Sequence, residues 1–155
     1  MKPKHIVIAL ILVAVTLLTT GAASADLISD SRRALQQLVA QNPAAAKAKS
    51  KAAAVLVFSD VVKAGFIFGA QGGQGILFVH GRPNGRYRTV AASYGLQAGV
   101  QSYGYALFLM NQKAVDWVNS FTTDTLHSGI YAFTFDQQGL MAGLGLQGSK
   151  IMRID

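Results

Sequence analysis

Gly139-Leu140-Met141-Ala142-Gly143-Leu144-Gly145-Leu146-Gln147-Gly148-Ser149-Lys150-Ile151 is the stretch on which the reading of this chain turns. Taken with period two, Leu140, Ala142, Leu144 and Leu146 share one face, while Met141, Gly143, Gly145 and Gln147 share the other. The first is an apolar core face; the second is nearly bare backbone. Glycine brings entropy and no packing to a strand, so several on one face imply a bend, a bulge or a second backbone lying close. The stretch predicts a tightly packed strand.

Two upstream stretches use the same device. In Tyr94 to Gly104, Leu96, Ala98 and Val100 share a face opposite Gly95, Gln97, Gly99 and Gln101. In Phe66 to Phe78, a Gly/Gln cluster separates two apolar runs. Their spacing is too irregular for a solenoid, so they read as glycine-rich strands of one sheet.

Before the sheet, residues 26 to 42 predict a helix with the stripe Leu27, Ile28, Leu35, Leu38 and Val39. Asn42-Pro43 breaks it, and Pro43 opens a second helix, Ala44 to Ala54. Ser59-Asp60 predicts a short helical turn through Lys63, followed by strands at Phe66 to Ala70 and Ile76 to His80. A turn is expected at Gly81 to Gly85, then strands at Arg86 to Ala92 and Tyr94 to Met110, the latter divided near Gly104. Asn111 caps an inserted helix bearing Ala114, Val115, Trp117 and Val118; Ser120 to Ser128 is loop. Ile130 to Phe135 and a hairpin turn at Asp136-Gln137-Gln138-Gly139 lead into the closing strand. The predicted class is α+β: N-terminal helices packed on a glycine-rich antiparallel sheet or small barrel, a meander with one inserted helix.

Residues 1–25 have the form of a secretory signal. Lys2 and Lys4 make a basic start, Ile6 to Leu18 an apolar run, and Ala23-Ser24-Ala25 a cleavage site before Asp26. The domain expected is then 26–155, exported to the periplasm or beyond, with its net charge lowered from +7 to +5 by loss of the two lysines. Such an excess suits anionic membrane surfaces or nucleic acid but is also common on solvated faces, so alone it is weak evidence, and no nucleic-acid partner is expected. The chain has no cysteine, which excludes disulfides, thiolate metal sites and lipoprotein-type acylation.

The chemistry-bearing patterns are thin. Gly143, Gly145 and Gly148 satisfy G-x-G-x-x-G, but that fingerprint needs a following helix and a distant acidic residue. Ser149-Lys150 stands in the wrong order for a P-loop. His80 and His127 are isolated, there is no glutamate, and Ser93, Ser102 and Ser149 lie in no nucleophile motif, so neither enzyme nor cofactor is expected. Trp117 with Tyr94, Tyr103, Tyr105 and Phe108 suits a ligand slot, although core is the commoner role of such residues. Arg86 and Arg88 flank Tyr87 and share the opposite strand face, which fits phosphate recognition or a charged edge strand equally.

Three stretches together resemble a known family: Ala54-Val55-Leu56-Val57-Phe58 through Gly65-Phe66; Ser93-Tyr94-Gly95-Leu96-Gln97-Ala98-Gly99-Val100-Gln101-Ser102-Tyr103-Gly104; and Tyr131-Ala132-Phe133 through Gly139-Leu140-Met141-Ala142-Gly143 to Gly148-Ser149-Lys150-Ile151. They resemble the SYLF domain, especially its exported bacterial branch. The resemblance implies a compact α+β domain that binds phosphoinositide-like or other anionic lipids. Actin binding belongs to eukaryotic relatives and is not expected of an exported bacterial member. Relatives carry an additional glycine- and valine-rich segment between positions matching Trp117-Val118 and Thr122; only Asn119, Ser120 and Phe121 stand here, which implies unpaired sheet edges or an open barrel, or else a gap that the fold closes by another pairing.

For lipid contact the candidates are Arg32, Arg33, Lys47, Lys49 and Lys51 on the helices, with Arg86 and Arg88 as a second patch. A cation near an anionic surface contributes about 1 kcal/mol. The rival expectation is a structural protein of the cell envelope that packs against a protein partner or its own copy. A small outer-membrane barrel fits less well, given a short, aromatic-poor closing strand and polar Gln97 and Gln101.

Overall fold

A computed structural model describes residues 23–65, 68–119 and 129–155, and for 93–98 and 137–149 it describes the backbone. Helix α1 covers residues 23–41 and α2 spans Pro43–Lys51. Strands β1 (Ala54–Gly65), β2 (Phe68–Val79) and β3 (Arg82–Leu109) follow, then α3 (Gln112–Asn119) and β4 (Ile130–Arg153). The class is α+β, with all strand pairs antiparallel.

The sheet is not a simple meander. β3 pairs with β2 from Arg82 to Tyr94, then with β1 from Gly99 to Leu109, so that it passes around the tip of the β1–β2 hairpin. Gly99, at φ 136°, marks the crossing with a backbone that L side chains rarely adopt. β4 follows β3 from Tyr87 to Leu109. Across the sheet the order is the C-terminal half of β4, the first part of β3, β2, β1, the last part of β3 and the N-terminal half of β4. Both outer edges belong to β4, and the sheet is open, which corrects the alternative of a small barrel.

One half of the sheet is a sandwich. Val55, Val57, Ile76, Phe78, Ala106 and Phe108 pack under Ala34, Leu35 and Leu38 of α1 and Ala45 and Ala48 of α2. The alternate residues, among them Leu56, Phe58, Leu77 and Leu109, pack with Ala114, Val115 and Val118 of α3 on the other face. Burial on both faces explains the unbroken apolar run Ala54 to Phe58. Each fully buried Leu or Phe there contributes about 1.5–3 kcal/mol.

The helix signals hold. The stripe of α1 lies against the sheet, and Asn42 Oδ1 accepts from the N–H groups of Ala44 and Ala45 at 3.0 and 3.1 Å ahead of Pro43. Asn111 Oδ1 likewise accepts from Ala114 N at 2.9 Å. The second helix stops at Lys51, short of the expected Ala54, because Ala54 already pairs with Val79.

Four expected breaks are instead strand. Ser59-Asp60 forms no helical turn: β1 continues to Gly65 and absorbs the residues in a bulge between Phe58 and Asp60. Phe66 to Ala70 and Ile76 to His80 are not separate strands, since β2 runs from Phe68 to Val79 through its glycines. β3 is likewise one strand, whose irregularity at Ser102/Gly104 stays inside the pairing with β4. Asp136 to Gly139 is no hairpin turn: Asp136, at φ 51°, lies in that same bulge. The turn expected at Gly81 to Gly85 sits at His80-Gly81, with φ of 50° and 75°, the positive pair a tight two-residue hairpin demands. The loop read at Ser120 to Ser128 lies outside the described residues, as do residues 1–22 of the signal.

Candidate functional surface

The basic candidates lie on one side of the sheet. Arg86 pairs with Ile76, whose side chain belongs to the core beneath α1 and α2, and residues in register share a face. Arg88, two positions on, shares that face and is exposed; Tyr87 between them is fully buried on the opposite one. The helices that cover this side carry the remaining candidates.

Each cation has a distinct setting. Arg32 donates from Nη1 to the Gly81 carbonyl at 3.1 Å, with its guanidinium 5.2 Å from the Phe78 ring centre. Arg33 pairs with Asp30 at 3.2 Å, both exposed. A shallow groove of ≈ 380 Å³ is lined by Ala25, Ile28, Ser29, Arg32, Arg33 and Gln36, all on α1. Lys47, Lys49 and Lys51 are exposed, while Ala45 and Ala48 face the sheet. At 100° per residue, Lys47 and Lys51 fall on one flank of α2 and Lys49 on the other, the wide arc that the spacing predicts. Arg86 donates from Nη1 to Ser24 Oγ at 3.1 Å, and its N–H reaches Asp155 Oδ1 at 2.9 Å. Ser24 falls within the stretch read as a signal, so the first of these bonds belongs to the uncut chain.

Further from the helices, this same face becomes apolar and exposed. Val62 is in register with Gly72 and Ser102, Gly72 with Val90, and Ala64 with Val100; Phe68 lies on the β2 positions that continue Ile76 and Gly72. Val62 is 46% exposed, Phe68 70%, Val90 37% and Val100 60%. The sequence reading placed Val62 in a helical turn and Phe68, Val90 and Val100 in strands, and proposed none of them as a contact surface. Their signal was the alternation Val62-Lys63-Ala64, which only pairing could assign to a face.

The aromatic slot does not form as a unit. Phe108 is buried under α1 and α2, whereas Tyr103, Tyr105 and Trp117 pack on the α3 side; the Tyr94 side chain lies outside the described residues. Tyr105 stacks on Phe58 at 4.7 Å, Tyr103 donates to Gln71 Oε1 at 2.9 Å, and the Tyr87 hydroxyl donates to Asn119 Oδ1. Burial pushes all three phenols above their ordinary range; Arg153, 5.9 Å from the Tyr87 ring centre, and the Tyr103 bond to Gln71 pull the other way. They stand as neutral packing groups, with the Tyr87 and Tyr103 hydroxyls bonded to Asn119 and Gln71. Among the described residues no group of His, Asp or Glu is placed to hold a metal ion.

No model of a known protein family, no curated protein and no solved structure matches the chain.

Proposed function

We propose that the chain is a non-enzymatic, peripheral lipid-binding domain of an exported protein, which takes anionic or phosphoinositide-like headgroups. The observation that carries this reading is the gathering of Arg32, Arg33, Lys47, Lys49, Lys51, Arg86 and Arg88 on one side of the sheet. Cations alone attract weakly, because exposed charge is screened within about 8 Å at physiological salt. Apolar side chains must add to them. The α1 groove, with Ile28 beside Arg32 and Arg33, offers both kinds of contact.

Co-flotation with neutral and anionic liposomes, at low and high salt, tests the reading. Binding restricted to anionic vesicles and lost in salt is the expected result, and charge reversal of Lys47, Lys49 and Lys51 to glutamate should abolish it. Absence of binding to either vesicle would overturn it. A second reading, a structural module of the cell envelope, is favoured by one observation: β4 forms both edges of an open sheet, and unpaired edges template pairing with another chain. That reading expects a defined oligomer whose formation depends on neither lipid nor salt.

A further inference from the structure

Resting on the lipid-binding reading, we infer that the half of the sheet beyond the helices, led by Phe68, is the part that enters the bilayer. Its exposed residues Val62, Val90 and Val100 lie with Phe68 on the face that α1 and α2 cover elsewhere. The burial of β1 shows the transition: Ala54 to Phe58 are buried in unbroken sequence, whereas beyond Val61 residues alternate between exposed and half-buried. Exposed valine and phenylalanine gathered on one side of a sheet mark a contact surface.

Charge selects the occupant. The described residues of this half, 61–65, 68–73, 89–102 and 138–150, include no Asp or Glu; their only charged residues are Lys63 and Lys150. An apolar surface with a sparse, wholly positive complement suits an anionic phospholipid surface. The end of the hairpin agrees: Gly65 pairs with Gly69, and Phe68 beside it is exposed. The cationic candidates share this side of the sheet and would meet headgroups while the exposed apolar side chains of this face insert at the headgroup/acyl boundary.

The test uses the protein as the producing cell processes it, with vesicles of phosphatidylcholine alone or mixed with phosphatidylglycerol. Replacing Phe68→Trp should give a fluorophore whose emission, measured against the wild-type background of Trp117, shifts to the blue on anionic vesicles and is quenched by lipids brominated in their acyl chains. Phe68→Ser and Val100→Ser should each lower vesicle affinity about tenfold with unchanged circular dichroism, since burying such a side chain is worth that order. Wild-type binding, with the introduced fluorophore unquenched and the serine variants undiminished, would overturn the inference and leave the lipid reading standing on the helices. No wild-type binding to any vesicle would overturn both. Conversion of an oligomer to a monomer by the serine variants, with vesicle affinity unchanged, would overturn the inference in favour of a second copy of the chain.

Discussion

The ring of Phe58 lies over Gly75, its register partner across β1 and β2: a Cβ on Gly75 would stand 2.7 Å from Phe58 Cδ1 and 2.5 Å from the Val57 carbonyl oxygen. Glycine there lets two strands and a fully buried ring occupy one place. The carbonyl is backbone and can retreat only if the strand shifts. Gly75→Ala should therefore destabilise the fold by about 2 kcal/mol or more, within the range of overpacked sites. Gly72 is the control, with the Thr89 carbonyl at 3.8 Å its nearest neighbour. Gly72→Ala should stay within about 0.5 kcal/mol in urea unfolding.

This contact also explains what the sequence hid. The Gly/Gln cluster from Gly69 to Gly75 reads locally as a break between two strands, since glycine is the commonest turn residue. In the fold it is continuous strand, kept open by Phe58 and Asp60 from the neighbouring strand. Ser59-Asp60 and Asp136 misled in the same way: polar residues that ordinarily end a strand sit in bulges within a longer one. What was legible was local, namely the α1 stripe, the Asn42-Pro43 junction and the Asn111 cap. The basic residues of the candidate surface were visible one by one. That they share a side depends on the register of Arg86 with Ile76, a pairing that no local window contains.

The buried tyrosines predict how stability responds to alkali. Desolvation raises the pKa of Tyr87, Tyr103 and Tyr105 above the ordinary value of 10.0. Folded chains then hold phenolic protons that unfolded chains release, so unfolding is favoured as pH climbs past 10. Their contribution is complete below that pH and diminishes above it. Denaturant midpoints should be unaffected by these groups between pH 7 and 9 and fall above 10, with part of the tyrosinate absorbance appearing only as the chain unfolds. A midpoint insensitive to pH above 10 would contradict their burial as neutral groups.

Asn42 supplies a separable increment. Its side-chain oxygen satisfies two N–H groups at the start of α2, a helix of only 9 residues with no acidic residue in its first turn. Asn42→Ala should lower stability by about 1 kcal/mol, whereas Asn42→Asp should retain most of it. The thermal midpoint should fall by roughly 4 °C for alanine. Equal losses for both substitutions would show that something other than the cap oxygen holds the α1–α2 junction.

Arg33 and Asp30 set a test of sign for the lipid reading. The pair is exposed on both sides at 3.2 Å, so its value to folding is at most about 1 kcal/mol. Toward an anionic surface, however, Asp30 offsets the Arg33 charge beside the α1 groove. Asp30→Asn should raise affinity for anionic vesicles up to about fivefold, the equivalent of one additional cation near the surface. The gain should vanish at high salt, where exposed charges no longer reach the bilayer. If Asp30→Asn leaves anionic-vesicle affinity unchanged at low salt while Lys47→Glu reduces it, α1 faces away from the membrane and α2 carries the electrostatic contact.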